Sequence, residues 1–393
     1  MADRKSDNIK CLQNDIRLGY LDDNYVNQMV MDIYKVQTEK RLDMKNCFIE
    51  LERFIAACLV LLYHLGVSKG SWIFVEFFFM LTGYFTMLHL ERKSETIGDN
   101  IWYPVFYTWK KFVKIFPYTG ISILAMWLGR IIKWNLSAKD LVKWILCLPT
   151  ELGLLAGTGM QPTGLQIAEG AYTPKLLNVH LWYICSMLIV MPIVVGLLMW
   201  ARKYKSVIVT VVPMLLYGIL IMKDGTINGW HNDTFTFIFC NMRAMAGLLL
   251  GAGAYYFTQW WKSREYTVLG KKVLTAIELI SFAGVALISF STALRFDALQ
   301  IGLLFLSISL TNSGLTYTTQ ISDKRLEFLG AISLPIYCMQ MPVIWWCSVI
   351  GAEGAFTPFV ITLVLSVVIE IAFKLFDKWY EKSKEIIKGW MIA

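Results

Sequence analysis

From residue 47 onward the chain alternates apolar stretches of about twenty residues with short polar breaks. Ten such stretches lie at approximately 47–66, 71–90, 116–134, 178–199, 206–222, 235–257, 273–292, 298–316, 329–349 and 358–376. Each is near the ~20 residues an α-helix needs to cross a bilayer. The expected fold is therefore all-α, a polytopic integral membrane protein of about ten transmembrane helices. Segment 141–156 is apolar but short, which suits a re-entrant or interfacial piece. Residues 1–46 are polar and mixed in charge, with some helical periodicity at Val26, Met29, Val30 and Ile33. They are expected to form a cytoplasmic N-terminal segment ahead of a membrane domain over 47–376. Residues 377–393 set Lys378, Lys382, Lys384 and Lys388 beside Trp379 and Trp390, the pattern of an interfacial amphipathic tail.

Composition agrees with the pattern. Hydrophobic residues make up 56% of the 393 and charged residues only 17%, against roughly a quarter charged in soluble domains. Mean hydropathy is +0.52. The net charge of +8 could suggest nucleic acid in a soluble chain. Here the basic residues cluster at the ends of apolar runs, so membrane lipid is the expected partner and nucleic acid is not. With the N-terminus placed inside, 27 of the 37 Lys and Arg fall on inner segments and 8 on outer ones. That asymmetry, and an even number of spans, predicts that both termini are cytoplasmic. Eight cysteines are scattered, with no CxxC pair and no disulfide framework.

Candidate chemistry begins on the first apolar stretch. Arg53 and His64 are eleven residues apart, which is three helical turns plus about 20°. They share one stripe, about 16 Å apart along the axis. Ionisable groups inside a span usually face a bundle interior and mark function. Glu76 opens the second stretch at a depth similar to His64, so a His64–Glu76 pair is expected, with the carboxylate fixing the imidazole tautomer for proton abstraction from a hydroxyl. One His and one Glu are too few ligands for a metal site, and none is expected. Lys110, Lys111 and Lys114, in the loop before the third stretch, could join Arg53 in gripping an anionic ligand such as a nucleotide phosphate. Arg243 lies within the sixth stretch and needs a partner or a cavity. His180, Trp182 and Tyr183 open the fourth, where Trp and Tyr suit an interfacial belt as well as a site.

Six segments, in order, carry a family resemblance. Arg53 to His64 resembles the Arg-x10-His motif of the acyltransferase-3 family of membrane acyltransferases. Val75 to Tyr84 resembles its aromatic second-span signature, with Thr82 where Ser is usual. Lys111-Phe112-Val113-Lys114-Ile115-Phe116-Pro117-Tyr118 resembles its basic-x-x-basic-Ile-x-Pro-Tyr segment. Leu181-Trp182-Tyr183-Ile184, Arg243 with Gly247 and Gly251, and Leu329 to Tyr337 resemble three more. Two further departures are clear. Lysines stand at 111 and 114 where Arg is common, and Gln340 stands where many members carry a His. The resemblance implies transfer of an acetyl or other acyl group from cytoplasmic acetyl-coenzyme A to a hydroxyl of a cell-surface polysaccharide or related glycan, at the plasma membrane. His64 and Glu76 would be catalytic. Arg53, Lys111, Lys114 and Arg243 would bind the donor, and Thr82, Trp182 and Tyr183 the substrate. Direct transfer with His64 as base and transfer through an acyl-imidazole on His64 both remain open. A small-molecule transporter or sensor on the same membrane domain is the alternative. The acceptor, the acyl group and the oligomeric state, homo-oligomer included, are not legible in the sequence.

Overall fold

A computed structural model of the chain describes residues 46–134 except Asp99, the single positions 139 and 142, and residues 179–228, 234–291, 296–352 and 354–392. The chain divides into two units, Met1–Asn46 and Cys47–Ala393. The expected N-terminal segment, apart from Asn46, and the short apolar piece at 141–156, apart from position 142, lie outside the described residues.

The second unit is all-helical among the described residues. Ten helices of fifteen residues or more follow one another: α1 Cys47–His64, α2 Phe74–Arg92, α3 Tyr103–Trp134, α4 Trp182–Trp200, α5 Lys205–Asp224, α6 Thr234–Lys262, α7 Val268–Phe290, α8 Asp297–Thr311, α9 Lys324–Val349 and α10 Phe356–Ile392. Eight are long and apolar enough to cross a membrane. The other two are α8, with fifteen residues, and α1, which carries Glu50, Glu52 and Arg53 within eighteen.

Polar and apolar groups are distributed as lipid demands. Met214, Leu215 and Met222 on α5, Ile280 and Leu287 on α7, and Val364 and Leu375 on α10 are exposed, whereas Glu52, Glu76, Arg243, Glu278 and Gln340 are buried. With no water in hydrocarbon, ionisable groups face inward and find partners there. Glu278 accepts from Thr311 and Thr318, and Glu52 from Ser307 and Thr311.

Close packing at the centre rests on glycine. A Cβ at Gly83 of α2 would overlap the Leu248 carbonyl of α6, and a Cβ at Gly251 would overlap the Met80 carbonyl of α2. One at Gly247 would crowd Phe79. Gly247 and Gly251 form a small-xxx-small pair, which lets two backbones approach where no hydrophobic drive exists between helices in lipid.

Helix ends follow local rules. Thr267 caps α7 by accepting from the Gly270 N–H, and Asp323 caps α9 by accepting from Arg325 N–H. At the end of α1, Gly66 takes φ 75°, its N–H donates to the Tyr63 carbonyl, and Val67 N–H donates to the Leu62 carbonyl. This paired closure ends the helix one turn after Leu61 and fixes His64 at its last position.

Two expected boundaries move. The third helix starts at Tyr103, not near 116, so Lys110, Lys111 and Lys114 stand on helix turns instead of in a loop. Pro117 lies inside that helix and costs it one N–H bond, without ending it. The last helix runs unbroken from Phe356 to Ile392, so the tail expected as a separate interfacial helix is the continuation of α10.

Candidate active site at two ends of one helix

The end of α2 and the start of α3 line a basic pocket, and Arg53 on α1 lies near enough to act electrostatically on Lys111. Arg53 holds Glu50 at 2.6 Å. Glu50 itself is buried over Gly330 of α9, where a side chain would collide with its carboxylate. The pocket is a cavity of ≈ 460 Å³ lined by Lys93, Lys110, Lys111 and Lys114. Arg53 and Lys114 both add positive potential at Lys111. The same cavity carries an aromatic wall of His89, Tyr103 and Tyr107. His89 Nε2 and the Tyr103 hydroxyl are 2.7 Å apart, the His89 and Tyr103 rings stack at 14°, and the Tyr103 and Tyr107 rings at 28°. Lys111 Nζ sits 5.5 Å from the Tyr107 ring centre. Converging ammonium groups beside flat aromatic faces suit an anion attached to a planar ring system.

About 16 Å along α1 from Arg53, His64 stands in a different setting. Its ring meets His180 edge-on, with centroids 6.1 Å apart. His180 lies in the 3-10 turn Val179–Leu181 that leads into α4. The two parts of His180 are held by Tyr337 of α9: the ring Nε2–H donates to the Tyr337 carbonyl at 2.9 Å, and the Tyr337 hydroxyl donates to the His180 carbonyl. Donation from Nε2 leaves the lone pair of a neutral imidazole on Nδ1, and that atom is buried without a hydrogen-bond partner. The Tyr337 ring meets Tyr183 at 5.4 Å, and Tyr183 meets Phe79 at 4.6 Å. The Thr82 hydroxyl lies beside the Tyr183 phenol.

Glu76 does not complete this cluster as expected. Its carboxylate accepts from Arg243 Nε at 2.8 Å and from the Tyr217 hydroxyl at 2.5 Å, and Arg243 NH2 is 2.7 Å from it. The Arg243 guanidinium also lies 4.7 Å from the Trp182 ring centre and 5.6 Å from that of Trp72. The carboxylate points away from α1, and the reason is its direction around the helix. Phe78 of α2 packs on the apolar cluster of Ala57 and Leu61 on α1. Glu76 is two residues away, about 200° around the helix, and so faces α5 and α6. Arg243 is likewise corrected. It was expected with the donor-binding cations, but it sits at the opposite end from Arg53, paired with Glu76.

The structure therefore groups Arg53, Lys111 and Lys114 at one end. It places His64, Trp182, Tyr183, Thr82, Arg243 and Glu76 in one connected set toward the other. Two contributors were missed as site residues. His180 was legible only as a polar residue before an apolar run. The His89–Tyr103–Tyr107 wall has a local signal in the i, i+4 spacing of Tyr103 and Tyr107, but the link to His89 is tertiary. No group of three or more His, Cys, Asp or Glu side chains that could hold a metal occurs among the described residues.

One family profile, described as an acyltransferase domain, matches residues 48–375. No curated protein and no solved structure matches the chain.

Proposed function

We propose, from the premise that the chain belongs to the acyltransferase-3 family, that it moves an acetyl or similar acyl group from acyl-coenzyme A to a hydroxyl of a cell-surface glycan. The two-ended layout of α1 carries this reading, with a basic aromatic pocket by Arg53 and an imidazole pair about 16 Å away at His64. The nucleotide of the donor would take the pocket, its phosphates on Lys93, Lys110, Lys111 and Lys114 and its adenine against the His89–Tyr103–Tyr107 wall. Charge-assisted bonds to several lysines favour a polyanion. The extended pantetheine arm would then bring the thioester toward His64.

His64 would act as the general base. It takes the proton of the acceptor hydroxyl while that oxygen attacks the thioester carbonyl. The tetrahedral intermediate breaks its C–S bond, the ester keeps the new C–O bond, and the thiolate leaves to be protonated as free coenzyme A. His180 is a positioning residue, packed on His64 and itself fixed by Tyr337. Glu76 serves as the counter-ion of Arg243 and holds α2 to α5 and α6, instead of orienting His64. The same reading takes the donor from the cytoplasm, with both termini inside and the protein in the plasma membrane, and the excess of Lys and Arg on the inner segments supports that orientation.

The test separates donor binding from chemistry. Replacing Lys111 and Lys114 by Gln together should raise the donor KM by roughly tenfold with kcat little changed, the mark of lost uniform binding. A fall in kcat at unchanged KM would contradict the placement of the donor.

A further inference from the structure

Gln340 on α9 is buried completely, and neither its Nε2 nor its Oε1 has a hydrogen-bond partner. A carboxamide in that state is costly. Leaving a buried donor or acceptor unpaired carries the full desolvation penalty of that group, and in a membrane protein no bulk water relieves it. Most buried polar side-chain atoms are paired, so each exception asks for a cause.

Its position points to one. Gly330, Ser333, Tyr337 and Gln340 are all buried on α9, and steps of three and four residues keep them on one stripe. Gly330 lies under Glu50 of α1, and Cys47 Sγ reaches Glu327 at 3.9 Å, so the two helices run parallel in a fixed register. That register sets Gln340 level with Val60, one turn short of His64. The neighbouring stripe residue, Tyr337, is the one that fixes His180. The buried, unpartnered Nδ1 of His180 is a third polar atom of this set without a partner. Charge is already spent nearby, because Arg243 and Glu76 neutralise each other. A neutral polar ligand suits the remaining groups better than an ion.

We propose that Gln340 is a substrate-contact residue for the reactive end of the acyl donor. Nε2–H donates to the thioester carbonyl oxygen, and Oε1 accepts from the nearest amide N–H of the pantetheine arm. A thioester followed by an amide offers one acceptor and one donor, the complement of a carboxamide. The donated bond strengthens as the carbonyl oxygen gains charge during attack, so it lowers the barrier for the transfer described above. This assignment rests on the acyl-transfer reading, which it refines by one residue.

The experiment measures coenzyme A thiol release and thermal unfolding on the full-length protein in nanodiscs with acetyl-coenzyme A and a glycan acceptor pool. Wild type, Gln340→Met and Gln340→His are compared. Met matches the length of Gln and removes both polar atoms, while His restores a hydrogen-bonding ring. Gln340→Met should lose about 100–1,000-fold in kcat, with donor KM raised as the bond to the pantetheine amide is lost. Its unfolding midpoint should stay level or rise, because an unpaired amide has been removed. Gln340→His should keep at least about a tenth of wild-type kcat, since a ring N–H can replace the amide donor. Undiminished turnover in Gln340→Met, or a loss of turnover with a lowered midpoint, overturns the assignment while wild-type turnover leaves the parent reading standing. Absence of turnover in the wild type overturns both.

Discussion

Glu76 and His64 stand at similar depth on adjacent helices yet face apart, and that geometry decides what each substitution should do. Glu76 and Arg243 form a buried pair whose side chains are 0% and 4% exposed. Removing one member leaves an uncompensated charge, which costs on the order of 3–5 kcal/mol. Glu76→Ala and Arg243→Ala should therefore each lower the unfolding midpoint sharply, and the pair Glu76→Leu with Arg243→Met should recover much of the loss. Midpoints that are unchanged in the single variants would show that the pair bears no structural load. The sequence exposes such groups as ionisable residues inside apolar runs. It cannot assign their partners, because partner choice depends on helix rotation about the axis. A carboxylate 200° from the face that packs on α1 reaches Tyr217, 141 positions along the chain, and no spacing rule links them. Arg53 and His64 were legible because both lie on one helix, where periodicity fixes direction.

At the scale of elements, helix existence was written in the apolar runs, and helix contacts were not. The ten helices fall on the ten apolar stretches, but the start of α3 moved because amphipathic turns around Lys110–Lys114 continue the helix beyond the membrane-thick segment. Pro117 could not be weighed as a break from sequence alone, since a proline is tolerated inside a membrane helix when neighbours satisfy the freed group. The α2–α6 crossing is carried by absent side chains at Gly83, Gly247 and Gly251. Gly251→Leu should block correct assembly, seen as loss of the monodisperse species in size-exclusion chromatography. Gly218→Ala on α5, where nothing lies within 4 Å of a new Cβ, should leave expression and activity as they are. Equal tolerance at both positions would refute the close crossing.

For the whole molecule, the central feature is a bundle with two chemically distinct ends joined by α1. Lysines gather at one, and a neutral imidazole pair and a compensated Arg–Glu pair stand toward the other. Because the proposed donor site is lined in part by exposed lysine, its attraction for a polyanion should weaken with salt, as the Debye length falls from about 10 Å at 0.1 M to about 3 Å at 1 M. Donor KM should rise over that range, and a KM insensitive to salt would argue against phosphate binding there. The measurement that tests the central claim most directly is release of free coenzyme A thiol by purified protein in nanodiscs, given acetyl-coenzyme A and glycan acceptors, with His64→Ala beside wild type. Acceptor-dependent release by wild type, with at least a hundredfold loss in His64→Ala and unchanged donor affinity, is the predicted result. Equal release by both, or none by folded wild type across a broad acceptor pool, would contradict it.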